Sequence, residues 1–306
     1  MKLLVTGGTG FIGSPLCRAL ARQGHELTVL TRASRSSADP RIRYLAWADP
    51  GWPQAIRGIE GAINLAGEPI AAKRWSPAQK TVIRDSRVGT TRRLVDALAA
   101  LPQKPSVLVS ASAVGYYGDR GDEVLDETNA PGRGFLAETC QAWEAQAQRA
   151  EPLGVRVVRL RIGVVLAPGG GALAKMAPPF RGFLGGPLGS GRQWLSWIHR
   201  EDVIGLIAWS LSQPALSGAV NATAPEPATM RAFCRELGRA LRRPAWAPVP
   251  APVLRVLLGE MADMLLTGQR VLPAVARRLG YVFRYPDLPR ALAASLPRSC
   301  PESDLR

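Results

Sequence analysis

The segment Lys2-LLVTGGTGFI-Gly13 joins a short apolar run to three glycines spaced three residues apart. The run LLVT has the length of a buried strand, and the apolar residues Ile12, Leu16 and Leu20 recur at helical spacing. A strand that passes through a G-x-x-G-x-x-G loop into a helix holds the pyrophosphate of a dinucleotide at the helix N-terminus. The sequence therefore predicts a dinucleotide site that includes Gly7, Gly10, Phe11, Ile12 and Gly13.

Apolar runs of strand length alternate with helical patterns through the first half of the chain. Such alternation produces β-α-β units, which build a parallel sheet with helices on both faces. The runs LLVT, AINLA and VLVSA are apolar along nearly their whole length, as expected for strands that are covered on both sides. We therefore predict an α/β fold with a doubly wound parallel sheet of the Rossmann type and a smaller C-terminal α+β lobe.

The end of the second predicted strand indicates which dinucleotide is bound. This strand ends in Thr31 and Arg32, about twenty residues past the glycine loop, where an acidic residue would hold the ribose 2′-hydroxyl of NAD. An arginine at this place pairs with a 2′-phosphate, with Arg35 as further support. We therefore predict NADP(H) as the cofactor; the alternative, a surface arginine on an arginine-rich chain, stays open.

Near Gly169 the regular alternation gives way to glycine-rich and aromatic segments such as FLGGPLGSG and WLSWIH. We expect residues 1–168 to form the NADP-binding domain and residues 169–306 to form mainly a substrate lobe. A later strand near residues 217–223 is expected to return to the sheet.

Composition restricts the classes of partner. The chain has 39 Lys and Arg against 24 Asp and Glu, a formal charge of +15, but the basic residues are spread along it without interleaved aromatics. We therefore predict no nucleic-acid partner. The four cysteines, among them Cys300, stand far apart and there are only two histidines, so no metal site or disulfide framework is expected. No signal peptide or membrane span is recognisable, which favours a cytoplasmic protein without a membrane partner; a homodimer is left open.

Five motifs along the chain, TGGTGFIG, NLAGEPI, SRVGTT, SASAVGYYG and SWIHREDV, resemble those of extended short-chain dehydrogenases/reductases. More narrowly, the whole chain resembles the atypical epimerase-family proteins, a subgroup of NAD(P)-dependent sugar-nucleotide epimerases with a short C-terminal domain of unknown function. The resemblance implies that residues 248–296 form this C-terminal segment. It also implies that the cofactor contacts Leu65, Ala66, Gly67, Arg87 and Val165.

The family's usual catalytic set is a serine together with a tyrosine and a lysine spaced Y-x-x-x-K on a helix. Ser112 matches the serine, with Ser110 as the alternative, but Cys140 and Glu144 occupy the tyrosine and lysine positions. A carboxylate one helical turn away should raise the pKa of the Cys140 thiol, so this thiol is a weak acid/base candidate. Tyr117, which follows Ser112, is another candidate for the proton donor.

Two hypotheses follow for the function. The first is an NADP-dependent oxidoreductase or epimerase that acts on a small polar substrate, a sugar nucleotide among the candidates, with a non-standard acid/base. The second is a catalytically silent NADP(H)-binding sensor or scaffold, motivated by the missing tyrosine and lysine.

Overall fold

Strands and helices alternate along the computed structural model, which describes residues 1–33 and 35–296. The strands in chain order are β1 (Lys2–Thr6), β2 (Glu26–Thr31), β3 (Ile42–Ala46), β4 (Gly61–Asn64), β5 (Val107–Ala113), β6 (Val124–Leu125), β7 (Arg156–Ile162), β8 (Val164–Leu166), β9 (Trp194–Leu195), β10 (Trp197–His199), β11 (Gly218–Ala222), β12 (Ala228–Thr229) and β13 (Arg270–Val271). The helices are α1 (Gly13–Arg22), α2 (Trp52–Ala55), α3 (Pro77–Ala100), α4 (Phe135–Gln148), α5 (Gly171–Arg181), α6 (Arg200–Ser212), α7 (Met230–Leu241), α8 (Ala251–Leu258), α9 (Asp263–Leu266), α10 (Ala274–Arg278) and α11 (Leu288–Ser295).

Seven of the strands form one parallel sheet, in the order β11-β7-β5-β4-β1-β2-β3. The chain runs outward from β1 through β2 to β3 and then crosses to β4, on the other side of β1. This reversal leaves a crevice beyond the C-terminal ends of β1 and β4, where open α/β sheets bind their ligands. The predicted doubly wound Rossmann sheet is confirmed.

Apolar side chains cover both faces of this sheet. On one face, Leu3 and Val5 of β1 pack with Leu16 and Leu20 of α1 and with residues of α6. On the other face, Leu4 of β1 and Leu108 of β5 pack with the buried side of α3. Burial on both faces explains why these strands read as continuous apolar runs.

A second apolar cluster lies in the C-terminal part of the chain. Its largest members are Phe180 of α5, Trp197 of β10 and Phe233 of α7, and α11 closes it from another side. The six strands outside the main sheet form three pairs: β10 with β8, β12 with β9 and β13 with β6. The predicted α+β lobe therefore has a core of its own.

Residues 297–306, which include Cys300, and residue 34 lie outside the described part of the chain. Within the residues that are described, no helix combines the length and the apolar character needed to cross a bilayer.

Candidate functional site

The crevice beyond β1 and β4 is narrowed by a direct contact between the two loops that follow these strands. Gly7 adopts a positive φ of 68°, and a Cβ placed on it would lie 2.5 Å from the carbonyl of Leu65. A Cβ on Gly13 would lie 2.2 Å from the carbonyl oxygen of Gly7. Because neither position has room for a side chain, the spacing of these two glycines is explained by backbone packing.

The start of α1 faces this crevice and is suited to an anion. Ile12, the N-cap residue, makes no side-chain hydrogen bond to the helix, and Gly10 is exposed. Backbone N–H groups at a helix N-terminus carry partial positive charge and bind phosphate when no side chain caps them. The exposed Gly10 lets a ligand approach the backbone closely. The loop therefore fits the pyrophosphate of a dinucleotide.

Arg87 of α3 brings a positive charge to the same crevice. A Cβ placed on Gly67 would lie 3.1 Å from the guanidinium carbon of Arg87. The same carbon lies 5.4 Å from the ring centroid of Trp143. Burial lowers the pKa of Arg87 from its ordinary value. Among the described residues, no carboxylate oxygen lies within 4.0 Å of this guanidinium. A partly buried cation without an ion-pair partner attracts an anionic ligand.

Thr31 and Arg32 stand at the end of β2, next to the glycine loop. The hydroxyl of Thr31 is buried and donates to the carbonyl of Ala33 at 2.6 Å, so it holds the turn that follows the strand. The side chain of Arg32 is exposed. The side chain of Arg32 is therefore accessible to a phosphate at this end of the crevice. Thr31 would contact a ligand there mainly through its backbone.

Val165 of β8 and the segment that follows it also lie beside the glycine loop. The loop after β8 reaches Phe11, because a Cβ on Gly171 would meet the ring of Phe11 at 2.8 Å and the carbonyl oxygen of Val165 at 3.0 Å. The structure thus brings the glycine loop, residues 65–67, Arg87 and the segment after β8 around one crevice.

A buried polar network under the crevice was not among the predicted site residues. Asn64, at the end of β4, accepts from the hydroxyl of Thr6 at 2.7 Å and donates to Thr91 at 2.7 Å and to Ser110 at 3.1 Å. It joins the ends of β1, β4 and β5 to α3. The signal in the sequence is an asparagine that closes an otherwise apolar strand, since a buried amide needs several hydrogen-bond partners.

Ser112, the predicted catalytic serine, is in direct contact with Glu144, which occupies the lysine position. The hydroxyl of Ser112 donates to Oε1 of Glu144 at 2.7 Å. Arg161 of β7 forms a bidentate ion pair with the same carboxylate, Nε to Oε1 at 2.8 Å and Nη2 to Oε2 at 3.0 Å. Arg159 adds Nη1 to Oε2 at 3.1 Å. Glu144 is only 3% exposed, so the negative charge at the lysine position is buried and compensated by two arginines.

Sequence reasoning missed Arg159 and Arg161. Burial lowers the pKa of Arg161, but the hydrogen bonds and the charge of Glu144 outweigh this effect and raise the pKa above its ordinary value. The signal was present in the strand RVVRLRI, where two arginines alternate with apolar residues and therefore share one face of β7.

The structure corrects the expectation for Tyr117 as a proton donor. Its side chain is fully buried, its hydroxyl donates to Oδ1 of Asn221 at 2.8 Å, and it accepts from Nη1 of Arg161 at 2.9 Å. Burial raises the pKa of Tyr117 to about 12. Because this hydroxyl is enclosed and paired on both sides, a substrate cannot reach it.

Cys140 lies beside Ser112 and is also buried. Its pKa is raised to about 11, first by burial and second by the charge of Glu144, while the backbone of Ala113 and the charge of Arg87 act in the opposite direction. The predicted direction of the shift is confirmed, but its larger cause is burial, which the sequence does not display.

Comparison with known proteins identifies the family. Residues 3–222 match the model of the NAD dependent epimerase/dehydratase family, and residues 249–295 match a domain of unknown function, DUF1731. The chloroplastic epimerase family protein SDR39U1 homologue of Arabidopsis thaliana is 45% identical over 304 residues, which cover 96% of this chain and 86% of that protein. Epimerase family protein YfhF of Bacillus subtilis is 39% identical over 296 residues, 96% of this chain and 97% of that protein.

Solved structures agree with this assignment. The crystal structure of human epimerase family protein SDR39U1 with NADPH superimposes with a TM-score of 0.88 at 36% identity, covering 96% of this chain and 99% of that one. The nucleoside-diphosphate sugar epimerase of Corynebacterium glutamicum gives a TM-score of 0.79 at 31% identity, over 96% of this chain and 58% of that one. The family is named for its dependence on NAD, which confirms a nicotinamide dinucleotide as the predicted class of cofactor. The chain therefore belongs to the NAD dependent epimerase/dehydratase family, with the extended short-chain dehydrogenase/reductase fold that its motifs predicted and a C-terminal DUF1731 segment.

Proposed function

We propose that this chain binds NADP(H) in the crevice beyond β1 and β4. The residues that we propose to contact the cofactor are Gly7, Gly10, Phe11, Ile12, Gly13, Thr31, Arg32, Leu65, Ala66, Gly67, Arg87 and Val165. The uncapped N-terminus of α1 and the guanidinium of Arg87, which has no carboxylate partner among the described residues, support this assignment, since both favour phosphate groups. On this proposal residues 1–168 hold the cofactor and residues 169–306 mainly shape the space next to it.

A preference for NADP(H) over NAD(H) rests on Arg32. An exposed arginine at the end of β2 can form a charge-assisted hydrogen bond to a 2′-phosphate. A ribose 2′-hydroxyl carries no negative charge to match the arginine. The human relative of this chain was crystallised with NADPH, which agrees with this choice.

We further propose that the chain holds this cofactor without the proton transfer that a serine, tyrosine and lysine set performs in other members. The single observation that carries this proposal is the closed set of contacts around Glu144. Its two carboxylate oxygens accept four hydrogen bonds, from Ser112, Arg159 and two atoms of Arg161. The single hydroxyl hydrogen of Ser112 is therefore donated to Glu144, and Ser112 has no further donor with which to polarise a substrate oxygen.

The other candidates do not replace the missing acid. A bound nicotinamide cofactor supplies a hydride, but reduction of a carbonyl also needs a proton from a group whose pKa lies near the working pH. The pKa of Cys140 is raised to about 11 and that of Tyr117 to about 12, and both side chains are buried. Each group is therefore a poor proton donor and acceptor near neutral pH.

An enzymatic role is the second candidate. It would be an NADP-dependent oxidoreductase or epimerase on a small polar substrate, with the proton supplied by the substrate itself or by water. The relative from Corynebacterium glutamicum, which is named a nucleoside-diphosphate sugar epimerase, favours a sugar nucleotide for that case.

Binding of the two nucleotides tests the cofactor proposal. We would titrate NADPH and NADH into the purified protein and into Arg32→Asp. The matched control is Arg22→Asp, because Arg22 is also exposed but lies at the opposite end of α1, about 13 Å from its start. We expect Arg32→Asp to weaken NADPH binding about tenfold or more and the control to leave it unchanged. Binding of neither nucleotide, or an NADPH preference that survives in Arg32→Asp, would contradict the proposal.

Turnover separates the two candidate functions. NADPH oxidation would be followed with a panel of aldehydes, ketones and nucleotide sugars, and epimerisation of the sugars by NMR. The silent NADP(H)-binding role predicts no turnover above that of free NADPH. Turnover that is lost in Ser112→Ala would instead establish the enzyme and show that Ser112 takes part in it.

A further inference from the structure

A cavity of about 410 Å³ opens on the α4 side of the sheet, next to the edge formed by β7 and β11. Its walls come from β7, β11, the loop of residues 126–130, α10 and Tyr116. None of the residues proposed to contact the cofactor lines it. Its volume lies in the range typical of sites for small organic molecules, roughly 300–1,000 Å³. We call this space the β7–β11 cavity.

Three arginines line the β7–β11 cavity. Arg161 directs one N–H of each of its three nitrogens to Glu144 or Tyr117. Arg159 uses Nη1 for Glu144, and its Nη2 donates to no acceptor in the part of the chain that the structure describes. Arg278 of α10 is exposed and, among the same residues, has no carboxylate oxygen within 4.0 Å.

The two acidic residues of the cavity wall are already engaged with protein donors. Asp126 accepts from the backbone N–H and the hydroxyl of Thr128 at 2.8 and 2.5 Å. Glu127 accepts from the backbone N–H groups of Asn221 at 2.9 Å and Val275 at 3.2 Å. These carboxylates therefore hold the wall together, and in the described part of the chain neither forms an ion pair within 4.0 Å with Arg159 or Arg278.

The rest of the wall combines the polar side chains of Thr128 and Asn129 with an aromatic ring and small aliphatic groups. The ring of Tyr116 stacks on the guanidinium of Arg161, 3.4 Å from its centroid, and Ala219, Ala274 and Val275 contribute small side chains. An aromatic face beside small aliphatic groups suits a flat or compact organic body, while the free arginine donors suit an oxyanion.

We propose that the β7–β11 cavity binds a small organic anion, a carboxylate or a phosphate ester. Its oxyanion accepts hydrogen bonds from Arg159 and Arg278, and its apolar body packs against Tyr116 and Ala219. This site goes beyond the cofactor-binding role, since it uses different residues on a different part of the sheet.

The test uses the full protein saturated with NADPH, so that the phosphate positions of the crevice are filled. Benzoate and phenyl phosphate are titrated calorimetrically, with the uncharged benzamide as the comparison ligand. The variant Arg278→Gln removes one free cation, and Arg277→Gln is its matched control, because Arg277 is exposed on the same helix but does not line the cavity. Ala219→Phe fills the cavity without changing its charge.

We expect at least one of the two anions to bind, benzamide to bind at least tenfold more weakly, and Arg278→Gln to weaken the anion about tenfold or more. Arg277→Gln should bind as the parent does, and Ala219→Phe should abolish binding. Binding of benzoate alone assigns the site to carboxylates, and binding of phenyl phosphate alone assigns it to phosphate esters. The proposal is overturned if neither anion binds, if benzamide binds equally well, or if the two arginine variants behave alike. Because Arg278 is remote from the proposed cofactor residues, failure of this site would leave NADPH binding intact.

Discussion

Replacing Glu144 by glutamine should destabilise the fold far more than a surface carboxylate would. The side chains of Glu144 and Arg161 are each only 3% exposed, so neither charge can be taken up by water when its partner is lost. Glu144→Gln keeps the shape of the side chain but removes the charge and turns an N–H₂ group toward the arginines. Breaking a buried ion pair by removing one partner costs about 3–5 kcal/mol. We expect a loss of this size in the free energy of unfolding.

Glu123→Gln is the matched control, because Glu123 forms the same kind of bidentate pair with Arg120, at 2.7 and 2.8 Å. The side chains of that pair are 29% and 43% exposed. Exposed pairs contribute about 0–1 kcal/mol, so the two variants differ by the burial of Glu144 and by its further hydrogen bonds from Ser112 and Arg159. Urea unfolding followed by circular dichroism measures both. The reasoning is refuted if Glu144→Gln costs no more free energy than Glu123→Gln.

A double variant separates the charge effect from a general packing defect. In Glu144→Leu combined with Arg161→Met, both buried charges are replaced by apolar side chains. Replacement of a whole buried pair is often neutral, so the double variant should be more stable than Glu144→Leu alone. If the double variant is less stable than either single variant, the ion pair between the two side chains is not the interaction that stabilises the fold here.

Two further predictions concern titration. The pKa of Cys140 is raised to about 11, so labelling of this thiol by iodoacetamide in the folded protein should still increase above pH ~10, where an unperturbed thiol of pKa about 8.5 is almost fully ionised; mass spectrometry measures the rate, and a half-maximal rate near pH ~8.5 would contradict the burial argument. Burial lowers the pKa of His199 from 6.5 to about 4, so the unfolded chain binds a proton in this window and the folded chain does not. Stability is therefore complete above pH 6.5 and should fall toward pH 4, by at most about 1.4 kcal/mol per pH unit from this group. In His199→Asn, which can still cap α6, urea unfolding at several pH values should show a smaller slope; an unchanged slope would assign the loss to other groups.

The crevice could be predicted from sequence because local chemistry determines it. The glycine spacing, the apolar runs and the arginine at the end of β2 each act within a few residues, and the structure places them as their patterns indicated. The network around Glu144 depends instead on contacts between α4 and β7, across 17 residues for Arg161. Tyr117 is fixed by Asn221, 104 residues away. In the sequence, Tyr117 follows a strand and is expected to be accessible. It is buried because β11 places Asn221 against it.

The substitution of glutamate for lysine at position 144 reverses a charge, yet Arg159 and Arg161 return positive charge to the same region. The position of that charge has changed, because the arginines lie on β7 and Glu144 stands between them and Ser112. The positive charge therefore stabilises a carboxylate and cannot lower the pKa of a group at position 140, where burial and Glu144 dominate. Ser112, whose hydroxyl donates its hydrogen bond to Glu144, can only accept a hydrogen bond from a ligand. A group that lies beside it must then be a donor, such as an amide N–H or an alcohol, and this favours a site that holds its ligand over one that polarises a carbonyl.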